Sequence, residues 1–353
     1  MDQTEDLNAL KLIGSLIQAL PEAVLIIAAD DRVLLFNASA HGLFPTLRPG
    51  DLLARSLRSP DVLDSLGRVR NMHRAERVTW FERVPVDRVF EVNVAPLDDA
   101  SVQPLLILTL RDLSETRRIE RMRADFVANA SHELRTPLAS LLGFVETLMG
   151  PARSDEKARD KFLIIMREQA QRMSRLVDDL LSLSRIEQNL HLRPQEPVDL
   201  SAVLHHIVDT LGPLARENEV ALKLAAPGPI IVSGDRDELM RVAENLVENA
   251  IKYGASHPAN RDKSVDISVL AQKGEGLLTV RDHGPGIAPE HLPRLTERFY
   301  RVDAGQSRAK GGTGLGLAIV KHIIARHRGR LNIESKLGEG AAFSVELPLH
   351  ANR

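Results

Sequence analysis

The chain has 353 residues, 43% hydrophobic and 27% charged, with a formal net charge of -2 and no cysteine, which suits two or three globular domains, each with its own core. A near-neutral charge without a basic block argues against nucleic acid as a partner. The lack of cysteine excludes disulfides, thiolate metal sites and a thiol nucleophile, and fits a reducing compartment.

In chain order, the acidic start Met1-Asp2-Gln3-Thr4-Glu5-Asp6 lacks the positive region and apolar core of a signal peptide. The longest apolar runs, Ala23 to Ala29 and Leu105 to Leu110, fall far short of the about 20 residues that span a bilayer as a helix. The expectation is a cytoplasmic chain, or the soluble portion of an inner-membrane protein whose anchor lies outside this sequence. Short β-rich runs (Val24 to Ile27, Val33 to Phe36, Phe90 to Val94, Leu105 to Arg111) separated by turns such as Ala29-Asp30-Asp31-Arg32 predict a small α+β domain over residues 1–112. Their order resembles a PAS sensor fold. His41 and His73 read as surface residues rather than cofactor ligands.

From Leu113 to Met149, apolar residues recur at three- and four-residue steps (Ile119, Met122, Phe126, Ala130, Leu134, Leu138), which predicts one long helix with a single seam. Pro137 removes an amide and should bend it, and Gly150-Pro151 ends it. Ser154-Asp155-Glu156 caps a second helix that runs to about Gln188. A hairpin over residues 113–192 buries only one stripe, so two copies are expected to pair as a four-helix bundle, making a homodimer. On the first helix, His132 precedes Glu133, with Thr136 one turn further on the same face. A neutral imidazole is nucleophilic near neutral pH, and an adjacent carboxylate can orient it and take its proton. Taken alone, the pair reads as a surface histidine with an ordinary neighbour.

After the linker Arg193-Pro194-Gln195-Glu196-Pro197, residues 193–353 alternate between strands and helices about one sheet, an α/β sandwich. Strands are predicted at Val220 to Leu224, Val265 to Leu270, Leu277 to Arg281, Leu331 to Ser335 and Ala342 to Leu347. Helices are predicted near Leu200 to Glu217, Asp237 to Lys252 and Leu315 to Arg328. Asp235 and Glu238 have capping-box spacing at the start of the middle helix. That helix carries Asn245, Asn249 and Lys252 on one face, followed by Tyr253. Amide oxygens suit Mg²⁺, and a lysine suits phosphates; alone, the asparagines read as an exposed face.

Two glycine segments alter that reading. Asp282-His283-Gly284-Pro285-Gly286 follows a strand, where the carboxylate can accept the exocyclic amine of adenine and the glycines admit the base. Gly312-Thr313-Gly314-Leu315-Gly316-Leu317 opens a helix, whose amides face an anion. Leu317 stands where a P-loop needs lysine, and the glycine spacing is not that of a Rossmann turn. Together the segments describe an ATP site. Between them, residues 283–311 read as a lid, from which Arg301, Arg308 or Lys310 contributes charge to the triphosphate.

The ordered set His132-Glu133-Leu134-Arg135-Thr136-Pro137-Leu138, the Asn245 to Tyr253 helix, Asp282-x-Gly284-x-Gly286, Arg298-Phe299-Tyr300-Arg301 and Gly312 to Leu317 resembles the two-component sensor histidine kinases. Within them, Leu292 to Asp303 most resembles phosphate-regulon sensor kinases. The resemblance implies autophosphorylation of His132 from ATP and Mg²⁺, with Asn249 on the metal, and transfer to an aspartate of a response regulator. It also implies phosphatase activity assisted by Thr136. Asn245 stands where water-activating relatives of the ATPase fold carry a glutamate, and Thr296 replaces a larger apolar residue of the lid. Two alternatives stay open: a catalytically silent nucleotide-binding scaffold, and a chaperone-like ATPase on the same fold.

Overall fold

A computed structural model describes residues 14–82, 87–97, 105–254, 263–302 and 312–350. They form two compact units that divide between Asp125 and Phe126.

The first unit is built on a five-stranded antiparallel sheet of order β2-β1-β5-β4-β3. Its strands are β1 (Ala23–Ile27), β2 (Val33–Phe36), β3 (Glu76–Glu82), β4 (Arg88–Leu97) and β5 (Leu105–Asp112). Helices α1 (Ala38–Leu43), α2 (Leu53–Ser56) and α3 (Pro60–Met72) lie between β2 and β3 in sequence. The β1–β2 turn closes on Asp31, whose φ of 64° is a conformation that aspartate tolerates better than most residues. Asn37 fixes the exit from β2: its side-chain oxygen accepts from Val24 and Ala40 N–H groups, and its amide donates to the Ile17, Leu20 and Glu22 carbonyls. Leu25, Ile27, Leu53, Leu66, Trp80 and Leu108 fill the core. Both His41 and His73 are exposed, as expected.

Helix α4 (Ser114–Met149) runs unbroken through Pro137, which is its one fully buried residue. Helix α5 (Glu156–Gln188) starts as predicted, with Asp155 accepting from the Ala158 N–H at 3.0 Å. Ile119, Met122 and Leu138 of the predicted seam on α4 stay uncovered within one chain, and other apolar residues are exposed as well: Leu142 and Val145 on α4 and Leu163, Ile164 and Leu181 on α5. Leu176, Leu183 and Ile186 of α5 instead join the core of the domain that follows.

That domain is an α/β sandwich. Its sheet has the order β11-β12-β10-β9-β7, antiparallel except between β7 and β9. The strands are β7 (Ala221–Ala225), β9 (Ser264–Gln272), β10 (Glu275–Asp282), β11 (Arg330–Lys336) and β12 (Gly340–Pro348), close to the predicted runs. Helices α6 (Leu200–Glu217), α7 (Arg236–Gly254) and α8 (Gly316–Arg326) share one apolar core with the sheet through Leu204, Leu246, Val280, Ile319 and Val345. Burying such a side chain contributes about 1.5–3 kcal/mol. No helix among the described residues is long and apolar enough to cross a membrane.

Two expectations fail locally. The segment read as a linker, Arg193 to Pro197, runs into β6 (Glu196–Asp199), which pairs with the unpredicted β8 (Ile231–Gly234). Pro197 is tolerated there because a two-stranded ribbon leaves its nitrogen outside the ladder. The capping box is only half built: the Asp235 carboxylate accepts from the N–H groups of Asp237 (3.0 Å) and Glu238 (3.2 Å), but Glu238 does not reach back. The Asp235 N–H donates to His327 Nε2 at 3.0 Å, and Glu238 pairs with Arg326 at 2.5 Å. Helix α7 is thus tied to the end of α8 through a buried histidine.

Candidate active site

A cavity of about 600 Å³ lies within the second unit, with walls from α5, α7, the segment after β10, and the turn into α8. Asn245, Asn249, Lys252 and Tyr253 line it from α7, because steps of three and four residues stack side chains on one face. Asp282, Gly286, Arg301, Gly312, Thr313, Gly314, Gly316 and Leu317 complete the predicted wall. Two predicted residues stand behind it. Leu315 is fully buried in the core, and Gly284 backs onto Tyr253, whose carbonyl oxygen would lie 2.8 Å from any added Cβ. Arg308 and Lys310 lie outside the described residues, as does all of the predicted lid beyond Val302.

Asp282, at the end of β10, is 6% exposed. Its Oδ1 accepts from the Gly284 N–H (2.8 Å) and the Ala341 N–H (3.3 Å). Burial pushes its carboxyl above the ordinary range, while those two N–H groups and the neighbouring His283 and Arg281 pull it down. A carboxylate held at the bottom of a cavity at this cost has acceptor capacity suited to a donor on a ligand. The glycines make the surrounding space. Gly286 has a φ of 70°, and a side chain there would run into the Lys336 carbonyl; a Cβ on Gly316 would overlap Asn245 Oδ1. A flat base and a phosphate chain therefore fit where side chains cannot.

On α7, Lys252 pairs with Glu248 at 2.7 Å, and Asn245 donates to the Arg241 carbonyl at 2.8 Å. Burial, followed by Glu248, raises the carboxyl of Glu244. Among the described residues no cluster of three or more His, Cys, Asp or Glu is arranged for a metal. The donor set therefore fits Mg²⁺ only as a cation shared between Asn249, waters and nucleotide phosphates.

Sequence reasoning missed the contribution of the hairpin. Arg175, Asp178 and Asp179 of α5 line the cavity. Asp179 accepts from the Thr313 hydroxyl and from Arg241, each at 2.8 Å, so the helix holds the glycine segment directly. Arg298 forms an ion pair with Glu187 and lies 5.1 Å over the Phe126 ring, which also meets Phe299. The backbone of Phe299 (φ 63°) donates to the Gly314 carbonyl at 2.8 Å. Gly340 was also missed: at φ 85° it packs so closely on Asp282 that a side chain would meet its carbonyl. The glycine pair Gly338 and Gly340 was the available signal.

His132 is exposed on α4, and among the described residues nothing bonds its ring nitrogens. Glu133 is not engaged with that ring. Its Oε2 accepts from Arg172 Nη2 (3.0 Å) and Arg301 Nη2 (3.2 Å). Arg301 also donates to the Gly312 carbonyl at 2.6 Å, so one guanidinium links the cavity wall to the neighbour of His132. The Thr136 hydroxyl donates to the His132 carbonyl at 3.2 Å.

The model of the His Kinase A (phospho-acceptor) domain matches residues 122–189, and that of the histidine kinase-, DNA gyrase B- and HSP90-like ATPases matches residues 234–351. The phosphate regulon sensor protein PhoR of Pseudomonas aeruginosa is 40% identical over 238 residues, covering 67% of this chain and 53% of that protein. The sensor protein kinase WalK of Staphylococcus aureus is 36% identical over 244 residues, covering 69% of this chain and 57% of that protein. The chain thus spans about half the length of these curated relatives. Among solved structures, the histidine kinase AdeS of Acinetobacter baumannii aligns with a TM-score of 0.49 at 28% identity, covering 62% of this chain and 98% of that one.

Proposed function

With its paired phospho-acceptor and ATPase domains, the chain belongs to the sensor histidine kinases, and from that premise we propose that it phosphorylates its own His132 from ATP and passes the group to an aspartate of a response regulator. The observation that carries this reading is Arg301, which lines the nucleotide cavity and bonds Glu133, the residue next to His132. Donor site and acceptor turn are therefore neighbours within one compact unit.

Asp282 would read the exocyclic amine of adenine, and Gly286, Gly312, Gly314 and Gly316 would give the base and phosphates their space. Asn249 would hold Mg²⁺, which neutralises charge on the phosphates when bound. A ring nitrogen of His132 attacks the γ-phosphorus of ATP, the bond to the β–γ bridging oxygen breaks and ADP leaves, and Glu133 receives or orients the ring proton. Positioning and charge neutralisation supply most of the acceleration in such transfers. Thr136 would assist water in removing phosphate from the regulator. The exposed apolar stripes on α4 and α5 support a homodimer joined through a four-helix bundle. The strand order of the first unit supports a PAS-like sensor over residues 1–112, followed by the hairpin (113–192) and the catalytic domain (193–353). Identity to PhoR supports phosphate signalling as the pathway.

Profiling transfer from the labelled protein across a panel of response regulators tests the reading. Rapid preference for one regulator is expected. Slow, indifferent transfer to all would refute a dedicated pathway, and steady ATP hydrolysis without a labelled histidine would favour a chaperone-like ATPase.

A further inference from the structure

We propose that Arg172 is the positioning residue of the acceptor turn, holding the Glu133 carboxylate in place when nucleotide draws Arg301 away. The proposal rests on the kinase reading and adds to it a residue that lies outside the nucleotide site. Glu133 Oε2 is shared by two guanidiniums of different character. Arg301 belongs to the cavity: it lines the wall, is 93% buried by its 7% side-chain exposure, and among the described residues leaves its Nε buried without a partner. Buried donors of that kind are costly unless a ligand satisfies them. A triphosphate entering beside Gly312 to Gly316 brings several anionic oxygens that compete with one carboxylate for this guanidinium.

Arg172 has no such alternative. It sits on α5, is absent from the cavity wall, and donates to Glu133 at 3.0 Å across the hairpin with 16% of its side chain exposed. That bond is internal to the two helices, so it outlasts any departure of Arg301. With Arg301 gone, Glu133 keeps one anchored oxygen while Oε1 is available to the N–H of the His132 ring. An anchored carboxylate orients the imidazole, whereas a loose one samples many rotamers, and displacement of about 1 Å in such a group can cost about a hundredfold in rate.

The test is autophosphorylation of the full chain, with Arg172→Gln, Arg172→Lys, Glu133→Gln and the double variant Glu133→Gln/Arg172→Gln compared at saturating and limiting ATP. Arg172→Gln should lower the saturating rate roughly tenfold to a hundredfold while leaving the KM for ATP and the affinity for a non-hydrolysable ATP analogue unchanged. Lysine should restore part of the rate, and the double variant should be no slower than Glu133→Gln alone. A wild-type saturating rate in Arg172→Gln overturns the proposal, as do a loss that appears in KM and a double variant in which the two losses multiply. An unchanged analogue affinity and melting temperature separate positioning from misfolding. Failure of the wild-type chain to label at all would sink the kinase reading itself, whereas labelling at full rate in Arg172→Gln sinks this inference alone.

Discussion

Replacing Asp282 with Asn should separate nucleotide affinity from stability. Asn offers the same Oδ1 acceptor to the Gly284 and Ala341 N–H groups, at 2.8 and 3.3 Å in the parent, and removes a charge that burial disfavours. In the nucleotide-free protein the folded-state pKa is raised, so stability from this group is full below the unfolded pKa and is lost as pH rises through the folded one. The variant should therefore melt no lower than the parent at pH 7, with any advantage shrinking toward pH 4. Binding should move the other way. A hydrogen bond to a charged group contributes about 1.5–3 kcal/mol, so turning an acceptor into an amide that meets an amine donor should weaken ATP roughly tenfold to 150-fold. Titration with a fluorescent adenine nucleotide, beside thermal melts at pH 4 and 7, measures both. Parent-like affinity would refute the adenine role, and a drop of several degrees at pH 7 would refute the account of the buried charge.

Gly316→Ala should push Asn245 from the cavity wall, costing about 1–3 kcal/mol in overpacking and weakening nucleotide binding; a higher melting temperature with unchanged affinity would contradict it. Leu183→Ala, at a position 1% exposed, should cost about 2–5 kcal/mol and lower one transition shared by hairpin and catalytic domain. Two separate transitions with only the hairpin affected would show that the core is not common. His327 is fully buried, and burial lowers its pKa, so the fold resists its protonation more than the unfolded chain, whose histidine protonates below about 6.5. Its stability contribution is present above that value and lost as pH falls. Melts between pH 7.5 and 5.5 should thus show a smaller decline for His327→Gln than for the parent, in which Asp235 and Glu238 face the ring. Equal declines would refute the assignment.

What was legible in the sequence followed periodicity and short-range chemistry. Helix α6 falls where its apolar steps placed a helix, near Leu200 to Glu217, and Asp199 caps its start. Strand β3 went unseen because Glu76-Arg77-Val78-Thr79-Trp80-Phe81-Glu82 alternates poorly, and its place in the sheet depends on pairing with β4. Strands β6 and β8 lack the continuous apolar run that marked the equally short β2: Pro197 and two acidic residues interrupt the first, and the second ends in Ser233-Gly234. The nucleotide wall was readable where Asn245, Asn249 and Lys252 share a helical face. Asp178 and Asp179 were not, since charges on the outer face of an amphipathic helix look solvated until another domain packs there. Glu133 and Arg301 lie 168 residues apart, and Asp179 and Thr313 lie 134 apart. No spacing rule reaches across such distances; the docking of the hairpin onto the catalytic domain creates both contacts, one through α4 and one through α5.

The central claim, that His132 receives the phosphoryl group of ATP, is tested most directly by incubating the full chain with γ-labelled ATP and Mg²⁺ and mapping the labelled residue. Acid-labile label is expected on the peptide containing His132, with its complete loss in His132→Ala and nucleotide affinity unchanged. Label that persists in His132→Ala, or that maps to any other residue, would contradict it.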